Sequence, residues 1–162
     1  IPLTLAGIPW HVVPIAKKEL KKVPFLSWAM LAAGHIFIDR SNREKALQSI
    51  NNIKNSLKKN PRSILIFPEG TRSLDGKMKP FKKGGVILSI DTGLPIVPIA
   101  CCGTFEVLIK GSKNFNPKPI ELRFGAPIHT SSEDLKNRNE ITEQVKKAII
   151  NLKSEWNNID NN

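Results

Sequence analysis

The chain has 162 residues, of which 40% are apolar, and this size and composition suit one folded domain and exclude a globally disordered chain. Its 25 Lys and Arg against 14 Asp and Glu give a formal net charge of +11, which favours anionic partners such as phosphorylated substrates, acidic lipid surfaces or nucleic acid. The two cysteines, Cys101 and Cys102, are adjacent, and this spacing excludes a disulfide framework and the usual zinc-ligand patterns.

The first half of the chain alternates strand and helix signals. Short apolar and β-branched runs predict three strands, at 11–15, 35–39 and 64–67. Residues 41–59 predict a helix between the last two strands, because Ser41 and Glu44 form a capping-box pair at its start. The apolar face of this helix carries Leu47, Ile50, Ile53 and Leu57.

The second half continues the alternation. Its pattern predicts a short helix, a buried strand, a half-exposed edge strand and a closing helix, at 85–91, 94–100, 120–124 and 141–156. Such alternation indicates an α/β domain in layers, with a mixed, partly parallel sheet flanked by helices. We expect a single domain over residues 1–156 and a frayed, Asn-rich tail over 157–162.

The most informative segment is 63–73, which reads S-I-L-I-F-P-E-G-T-R-S. Pro68 and Gly70 end the predicted strand abruptly and begin a tight turn. Arg72 offers a planar fork of donors that suits a phosphate, and the Thr71 hydroxyl and the backbone N–H groups of the turn can add further donors. The segment therefore predicts a phosphate-binding turn.

Glu69 needs a separate role, because a carboxylate beside a bound phosphate repels it. It either orients Arg72, accepts a hydrogen bond from a substrate hydroxyl, or pairs with Arg72 only to pin the turn. The first two roles fit a ligand that carries both a phosphate and an alcohol.

These residues resemble the F-P-E-G-T-R-S block of the glycerolipid acyltransferases, the lysophosphatidic acid acyltransferase family. Residues 34–40, G-H-I-F-I-D-R, resemble the second block of that family, G-x-x-F-I-D-R. Residues 96–99, I-V-P-I, resemble its fourth block, although Cys101 stands where a proline is often found. The three blocks occur in order at family-like spacing, and the resemblance extends over about residues 13–128.

The resemblance implies a glycerolipid acyltransferase-like fold and an enzyme that moves a fatty acyl group from acyl-CoA or acyl carrier protein to the free hydroxyl of a lysophospholipid. The expected acceptor is 1-acylglycerol 3-phosphate, and the product is phosphatidic acid. A membrane surface is an implied partner, with the enzyme membrane-associated at the cytoplasmic face, whereas nucleic acid, a metal and a bound organic cofactor are not implied.

Site residues follow from the matched blocks. The glycerol-phosphate part of the acceptor is expected to contact Arg40, Glu69, Gly70, Thr71 and Arg72. Two arginines on separate strand ends can hold a dianion from two sides, which positions the acceptor hydroxyl against a thioester. Asp39 and Arg40 have an alternative interpretation as an ordinary ion pair at a strand end. Support of the site, or the border of the acyl-chain path, is assigned to Val97, Pro98 and Ile99, whose alternative interpretation is that they are mostly core residues.

Two further surfaces have open interpretations. Lys17 or Lys18 is implied to add positive charge near the phosphate, but with Lys21 and Lys22 they equally form a solvated or lipid-facing surface. An apolar group could rest on a membrane or belong to a packed helix: Phe25, Leu26, Trp28 and Met30.

The general base of the family lies in an H-x-x-x-x-D block, in which Asp orients the imidazole. Neither His11 nor His35 has Asp five residues on, whereas His129 does, in Asp134. His129 follows the other blocks, although the family order places the catalytic block before them, and the residues after it are typical of a helix cap. We therefore predict that His129 and Asp134 are structural, that the catalytic block lies upstream of Ile1, and that this chain alone is inactive or nearly so.

Two alternatives to this function stay open. Within the enzyme class, the acceptor is glycerol 3-phosphate or another lysolipid. In a different class, the chain is a non-catalytic basic module that binds phosphates or nucleic acid. Aromatic residues make up 6% of the chain and Tyr is absent, which disfavours nucleic-acid binding by base stacking.

Overall fold

The computed structural model describes residues 8, 12–38, 43–109, 111–112 and 114–160, with the backbone alone at 17, 43, 46–47 and 157–160. The chain divides into two compact units, Ile1–Phe67 and Pro68–Asn162. Within the described ranges, no helix combines the length and the apolar composition that crossing a membrane requires.

The first unit is built on a parallel sheet in the order β2-β1-β3. The strands are β1 (Val12–Lys17), β2 (Ile36–Ile38) and β3 (Ser63–Leu65). Ile15 pairs with Ile36 and Val13 pairs with Ile64, so β1 is the central strand. This confirms the predicted parallel sheet. Because the strands run in one direction, their carboxyl ends meet at one edge, the edge at which ligands bind in open α/β sheets.

The helical segments of the first unit are a 3₁₀ helix (Lys18–Lys22), α1 (Leu26–Ala32) and α2 (Arg43–Lys59). Ile53 and Leu57 of α2 are buried, which confirms the predicted apolar face, whereas Ser41 and the side chain of Leu47 lie outside the described residues. α1 has the opposite character, because its buried side chain is Ser27 and its apolar residues are largely exposed.

Phe25, the residue before α1, has a strained backbone. Its φ of 61° and ψ of −51° lie outside the regions that suit L-residues, and it is the one non-glycine residue with positive φ in the described part of the chain. A residue held in such a conformation is strained by about 1–3 kcal/mol. The Phe25 ring is 77% exposed and meets the Trp28 ring edge to face, with 5.5 Å between centroids. Burial in a core therefore does not offset the strain.

In the described part of the second unit there are an antiparallel pair of strands, three α-helices and a 3₁₀ helix. The strands and α-helices are α3 (Gly84–Thr92), β4 (Ile99–Cys102), α4 (Thr104–Val107), β5 (Glu121–Phe124) and α5 (Arg138–Asp160), and the 3₁₀ helix is Ser132–Leu135. Ile99 lies opposite Phe124 and Cys102 opposite Glu121. The strand predicted at 94–100 is shorter and later than expected, since only an isolated bridge from Ile96 to Ile128 precedes it. The reason is that prolines on either side of Ile96 have no N–H to donate to a ladder.

The core of the second unit lies between α3 and α5. Val86 and Ile90 pack with Ile141 and Val145, which confirms the predicted inner face of the closing helix. The residues packed around this cluster are Phe81, Ile96, Ile128 and Ile149. The sequence predicted that the closing helix ends at Trp156 and that a tail begins at residue 157, whereas α5 extends through residue 160.

Candidate functional site

The predicted phosphate-binding turn follows β3 in the chain. Gly70 has a φ of 71°, a conformation that glycine adopts without strain, which confirms the tight turn expected at this position. The side chains of Thr71 and Arg72, which follow it, are exposed. The turn thus presents the guanidinium that was predicted to meet a phosphate.

The Glu69 carboxylate closes the loop that follows the turn. Its Oε2 accepts a hydrogen bond from the backbone N–H of Lys79 at 2.8 Å. Beside it, the carbonyl of Pro68 accepts a hydrogen bond from the N–H of Lys82 at 2.9 Å. Among the residues that the structure describes, Glu69 forms no ion pair with Arg72. The alternative in which Glu69 pairs with Arg72 to pin the turn is therefore not found, and the carboxylate instead accepts a hydrogen bond from a backbone amide ten residues later.

We name residues 69–82 the closed loop. Its side chains are strongly basic: Arg72, Lys77, Lys79 and Lys82, with Lys83 next in the chain. Both of its carboxylates are already engaged with backbone N–H groups, since Asp75 Oδ1 accepts from Lys77 at 3.1 Å. Each carboxylate accepts a hydrogen bond from a backbone N–H within the loop. The loop nevertheless has a net positive charge, which suits an anion.

The residues assigned to support or to the acyl path have mixed positions. Pro98 is fully buried, and its carbonyl accepts a hydrogen bond from the N–H of Gly125 at 2.8 Å. Ile99 is half-buried at the start of β4. Val97 is 41% exposed, so the group is core only in part, and its role in support or in the acyl path stays a prediction.

The sites predicted in the first unit are described only in part. Lys17 ends β1, where its backbone pairs with that of Ile38 at the end of β2. Lys18 is exposed at the start of the 3₁₀ helix. Asp39 and Arg40 lie outside the described residues, so their roles stay predictions.

The histidines of the described part of the chain are not arranged as catalytic bases. His129 is exposed, and Asp134 Oδ2 accepts hydrogen bonds from the backbone N–H of Ser131 at 2.7 Å and from its hydroxyl at 3.2 Å. This is a capping box, as predicted. His35 Nδ1 is buried with no hydrogen-bond partner in the described ranges, so no carboxylate orients its ring there. His11 lies outside those ranges.

The cysteines are not poised for chemistry either. Burial raises the pKa of both the Cys101 and the Cys102 thiols above the ordinary value of 9.0. Both side chains therefore remain thiols at neutral pH, whereas a nucleophile needs the thiolate.

A cleft that sequence reasoning did not find lies at the amino ends of β2 and β3. It has a volume of about 480 Å³ and is lined by Ala32, Ala33, Gly34, Asn60, Pro61, Arg62 and Ser63. None of the predicted site residues that the structure describes lines it. It opens at the edge of the parallel sheet opposite the carboxyl ends of the strands, so we assign it no part in the reaction.

Known proteins resemble this chain over most of its length. A profile of the Acyltransferase family matches residues 3–102. The chain is 38% identical over 138 residues to the 1-acyl-sn-glycerol-3-phosphate acyltransferase of Cocos nucifera. The aligned region covers 85% of this chain and 45% of that protein. It is 37% identical over 142 residues to the enzyme of the same name from Saccharomyces cerevisiae, over 86% of this chain and 47% of that protein.

A solved structure agrees with the sequence comparisons. The crystal structure of the 1-acyl-sn-glycerophosphate acyltransferase PlsC from Thermotoga maritima matches with a TM-score of 0.71 and 29% identity, over 90% of this chain and 56% of that one. The chain spans about half the length of the curated relatives it matches. Because the family profile covers more than half of the chain and the relatives match most of it, this chain belongs to the Acyltransferase family, as the three sequence blocks predicted.

Proposed function

We propose that this chain forms the acceptor-binding part of a 1-acylglycerol 3-phosphate acyltransferase. The reaction moves a fatty acyl group from acyl-CoA or acyl carrier protein to the free hydroxyl of the acceptor and gives phosphatidic acid. The observation that carries the proposal is the closed loop, in which Glu69 is tied to the Lys79 amide while Arg72 is exposed at the turn. The names of the matched relatives support the same acceptor.

The phosphate is the group that the turn is suited to hold. The Arg72 guanidinium can donate two parallel hydrogen bonds to phosphate oxygens, which fixes direction as well as charge. Gly70 has no side chain, so the backbone of the turn can approach the ligand closely. Thr71 adds a hydroxyl, and Arg40 is proposed as a further phosphate ligand on the strength of the family resemblance.

The acceptor hydroxyl is the reacting group. Once the phosphate is fixed, the hydroxyl oxygen can be held against the thioester carbonyl, and such positioning supplies a large share of the rate in acyl transfer. Oε2 of Glu69 holds the closed loop, and we assign its Oε1 to orient the free hydroxyl of the acceptor by accepting its hydrogen bond as the acceptor binds. In the reaction a base replaces Oε1 as the partner of this hydroxyl and takes its proton, the oxygen attacks the carbonyl carbon, and the base returns the proton to the leaving thiol.

The base is not assigned to any histidine that the structure describes. A His-x4-Asp block outside these 162 residues is proposed to supply it. Both candidate donors, acyl-CoA and acyl carrier protein, are anionic, which agrees with the net charge of +11. Because acceptor and product are lipids, we propose that the reaction takes place at a membrane surface; the family resemblance is the reason to propose its cytoplasmic face.

The test is binding of a water-soluble acceptor, 1-hexanoylglycerol 3-phosphate, measured by titration calorimetry below its micelle concentration. Arg72→Ala is expected to weaken binding by about 10-fold to 100-fold, because a charge-assisted bidentate contact is lost. The affinity of Arg72→Lys is expected to lie between those of Arg72→Ala and the unaltered chain, because lysine keeps the positive charge but cannot donate two parallel hydrogen bonds.

Two controls decide the interpretation. Lys147→Ala removes the same charge from an exposed position of α5 and is expected to leave the affinity unchanged. Monohexanoylglycerol, which lacks the phosphate, should not bind. Equal affinity of Arg72→Ala and the unaltered chain would refute the site, and inorganic phosphate binding as tightly as the lysolipid would favour the non-catalytic module.

A further inference from the structure

An exposed apolar surface surrounds the start of α1. Val23, Phe25, Leu26, Trp28 and Leu31 have exposed fractions of 43%, 77%, 45%, 66% and 53%. The spacing of three residues places Phe25, Trp28 and Leu31 on one side of the helix. Large apolar side chains that are exposed together mark an interaction surface, whereas isolated ones need no explanation.

This surface, which we name the α1 face, is organised. The Phe25 and Trp28 rings already contact each other, and the strained backbone of Phe25 directs its ring away from the core. A helix that exists only to pack would bury this side. α1 instead buries Ser27 and leaves the aromatic pair outside.

The charges beside the α1 face are predominantly positive. The preceding 3₁₀ helix carries exposed Lys18, Lys21 and Lys22 against one exposed acidic residue, Glu19. Lys21 Nζ lies 5.1 Å from the centroid of the Phe37 ring, so its charge is held next to the sheet. No Asp or Glu occurs between Glu19 and Asp39, so nothing in this segment repels an anionic surface.

We infer that the α1 face docks the protein on an anionic lipid bilayer, with Phe25, Trp28 and Leu31 in the headgroup and upper acyl region and Lys21 and Lys22 against lipid phosphates. Aromatic and aliphatic side chains flanked by lysines are the combination that binds the interface of a bilayer without spanning it. The inference rests on the proposed function in that the acceptor is a membrane lipid. It goes further in naming the surface that reaches the membrane.

The charge pattern decides between occupants. A second copy of the chain would bring the same lysines against each other, and like charges disfavour that pairing. An anionic bilayer instead has an apolar interior that can take up the apolar side chains of the α1 face and a negative surface that can bind its lysines. We therefore assign the α1 face to lipid.

The experiment measures flotation of the 162-residue chain with vesicles of phosphatidylcholine and phosphatidylglycerol in equal parts, and with vesicles of phosphatidylcholine alone. Phe25→Gly combined with Trp28→Ser is expected to reduce partitioning into the mixed vesicles by about 10-fold or more. Lys21→Glu combined with Lys22→Glu should reduce binding to the mixed vesicles by a similar factor and leave binding to neutral vesicles unchanged.

Two further variants separate docking from folding. Phe25→Gly alone replaces a strained residue with one that tolerates positive φ, so its melting temperature should stay the same or rise while vesicle binding falls. Phe115→Ser removes an aromatic ring that is 69% exposed in the second unit, and it should leave vesicle binding within about 2-fold of the unaltered chain.

Three outcomes would overturn the inference. The first is equal vesicle binding by the unaltered chain and by the Phe25→Gly/Trp28→Ser variant. The second is an equal loss with Phe115→Ser. The third is a dimer in sedimentation without lipid that the double variant dissociates, which would assign the face to a second copy. Flotation uses no lysolipid, so weak binding of soluble 1-hexanoylglycerol 3-phosphate would count against the proposed function and not against this surface.

Discussion

Glu69 holds a loop through one carboxylate oxygen, and in the proposed function the same side chain also meets the substrate. One carboxylate oxygen is bonded to the Lys79 amide, which holds the two ends of the closed loop near each other. The same bond takes up part of the negative charge that would otherwise repel a phosphate at Arg72. If the turn binds phosphate as proposed, the carboxylate is compatible with that ligand because the backbone already engages it.

Glu69 variants separate the loop contact from the charge. Glu69→Ala is expected to lower the free energy of unfolding by about 1 kcal/mol, since the bond is charge-assisted but partly solvated. Exchange of the Lys79 amide hydrogen should then accelerate by about 5-fold, as measured by NMR. Glu69→Gln keeps an oxygen acceptor and should retain most of this protection.

The matched control is Asp75→Ala, which removes the acceptor of the Lys77 N–H in the same loop. It should leave exchange at Lys79 unchanged. If Glu69→Ala also leaves that exchange unchanged, the carboxylate does not close the loop in solution. If Glu69→Gln keeps the protection but loses affinity for the lysolipid, the charge acts on the ligand.

At the level of helices and strands, the sequence predicted what depends on repeating pattern. The parallel sheet and the buried side of α2 follow from apolar spacing, and Ile53 and Leu57 lie where that spacing placed them. Apolar spacing did not predict where β4 starts. The neighbouring prolines lack the N–H groups that a continuous ladder needs, so only an isolated bridge forms at Ile96.

Contacts made by backbone groups are beyond such patterns. Every residue other than proline carries an amide, so no sequence signal distinguishes that of Lys79 as the partner of Glu69. The sequence also does not determine which side of α1 is exposed, because the same residues would suit a buried helix. Its exposed Trp28 and buried Ser27 are set by the packing of the whole unit. Arg40 and the supporting roles of Val97 and Ile99 remain predictions.

The connection from β4 to α4 supplies a prediction about packing. Gly103 has a φ of 73°, and a Cβ at this position would collide with the carbonyl of Pro119. Gly93, at the end of α3, has a φ of 68° with no atom within 4 Å of such a Cβ. The two glycines share a backbone conformation and differ in the space around it.

Gly93→Ala is accordingly expected to lower the free energy of unfolding by about 1–2 kcal/mol, the cost of the left-handed backbone alone. Gly103→Ala should lower it by about 1–3 kcal/mol more, because the connection must also shift to admit a methyl group. Urea unfolding followed by circular dichroism measures both, with the slopes compared to confirm a common unfolded state. Equal losses in the two variants would mean that Pro119 does not approach Gly103 in solution.

At the scale of the whole chain, the groups proposed to bind the acceptor and the base that would catalyse acyl transfer can be considered separately. The closed loop carries groups suited to an anion, whereas neither described histidine has a carboxylate to orient it. A base held in one tautomer is what acyl transfer to an alcohol requires. Under the proposed function, the described residues hold the acceptor and a base from outside them activates it.

This division predicts that the 162-residue chain, given oleoyl-CoA and 1-oleoylglycerol 3-phosphate, releases CoA no faster than a protein-free blank. His129→Ala should change nothing, because His129 is exposed and Asp134 is engaged with Ser131. CoA is best quantified by chromatography, since the thiols of the chain would react with a colorimetric reagent, and the Saccharomyces cerevisiae relative is a suitable positive control. Turnover that His129→Ala abolishes would identify His129 as the base and would require Asp134 to leave its cap during the reaction. Turnover that survives this substitution would instead direct attention to His11 and His35, each of which can be replaced by Ala in turn.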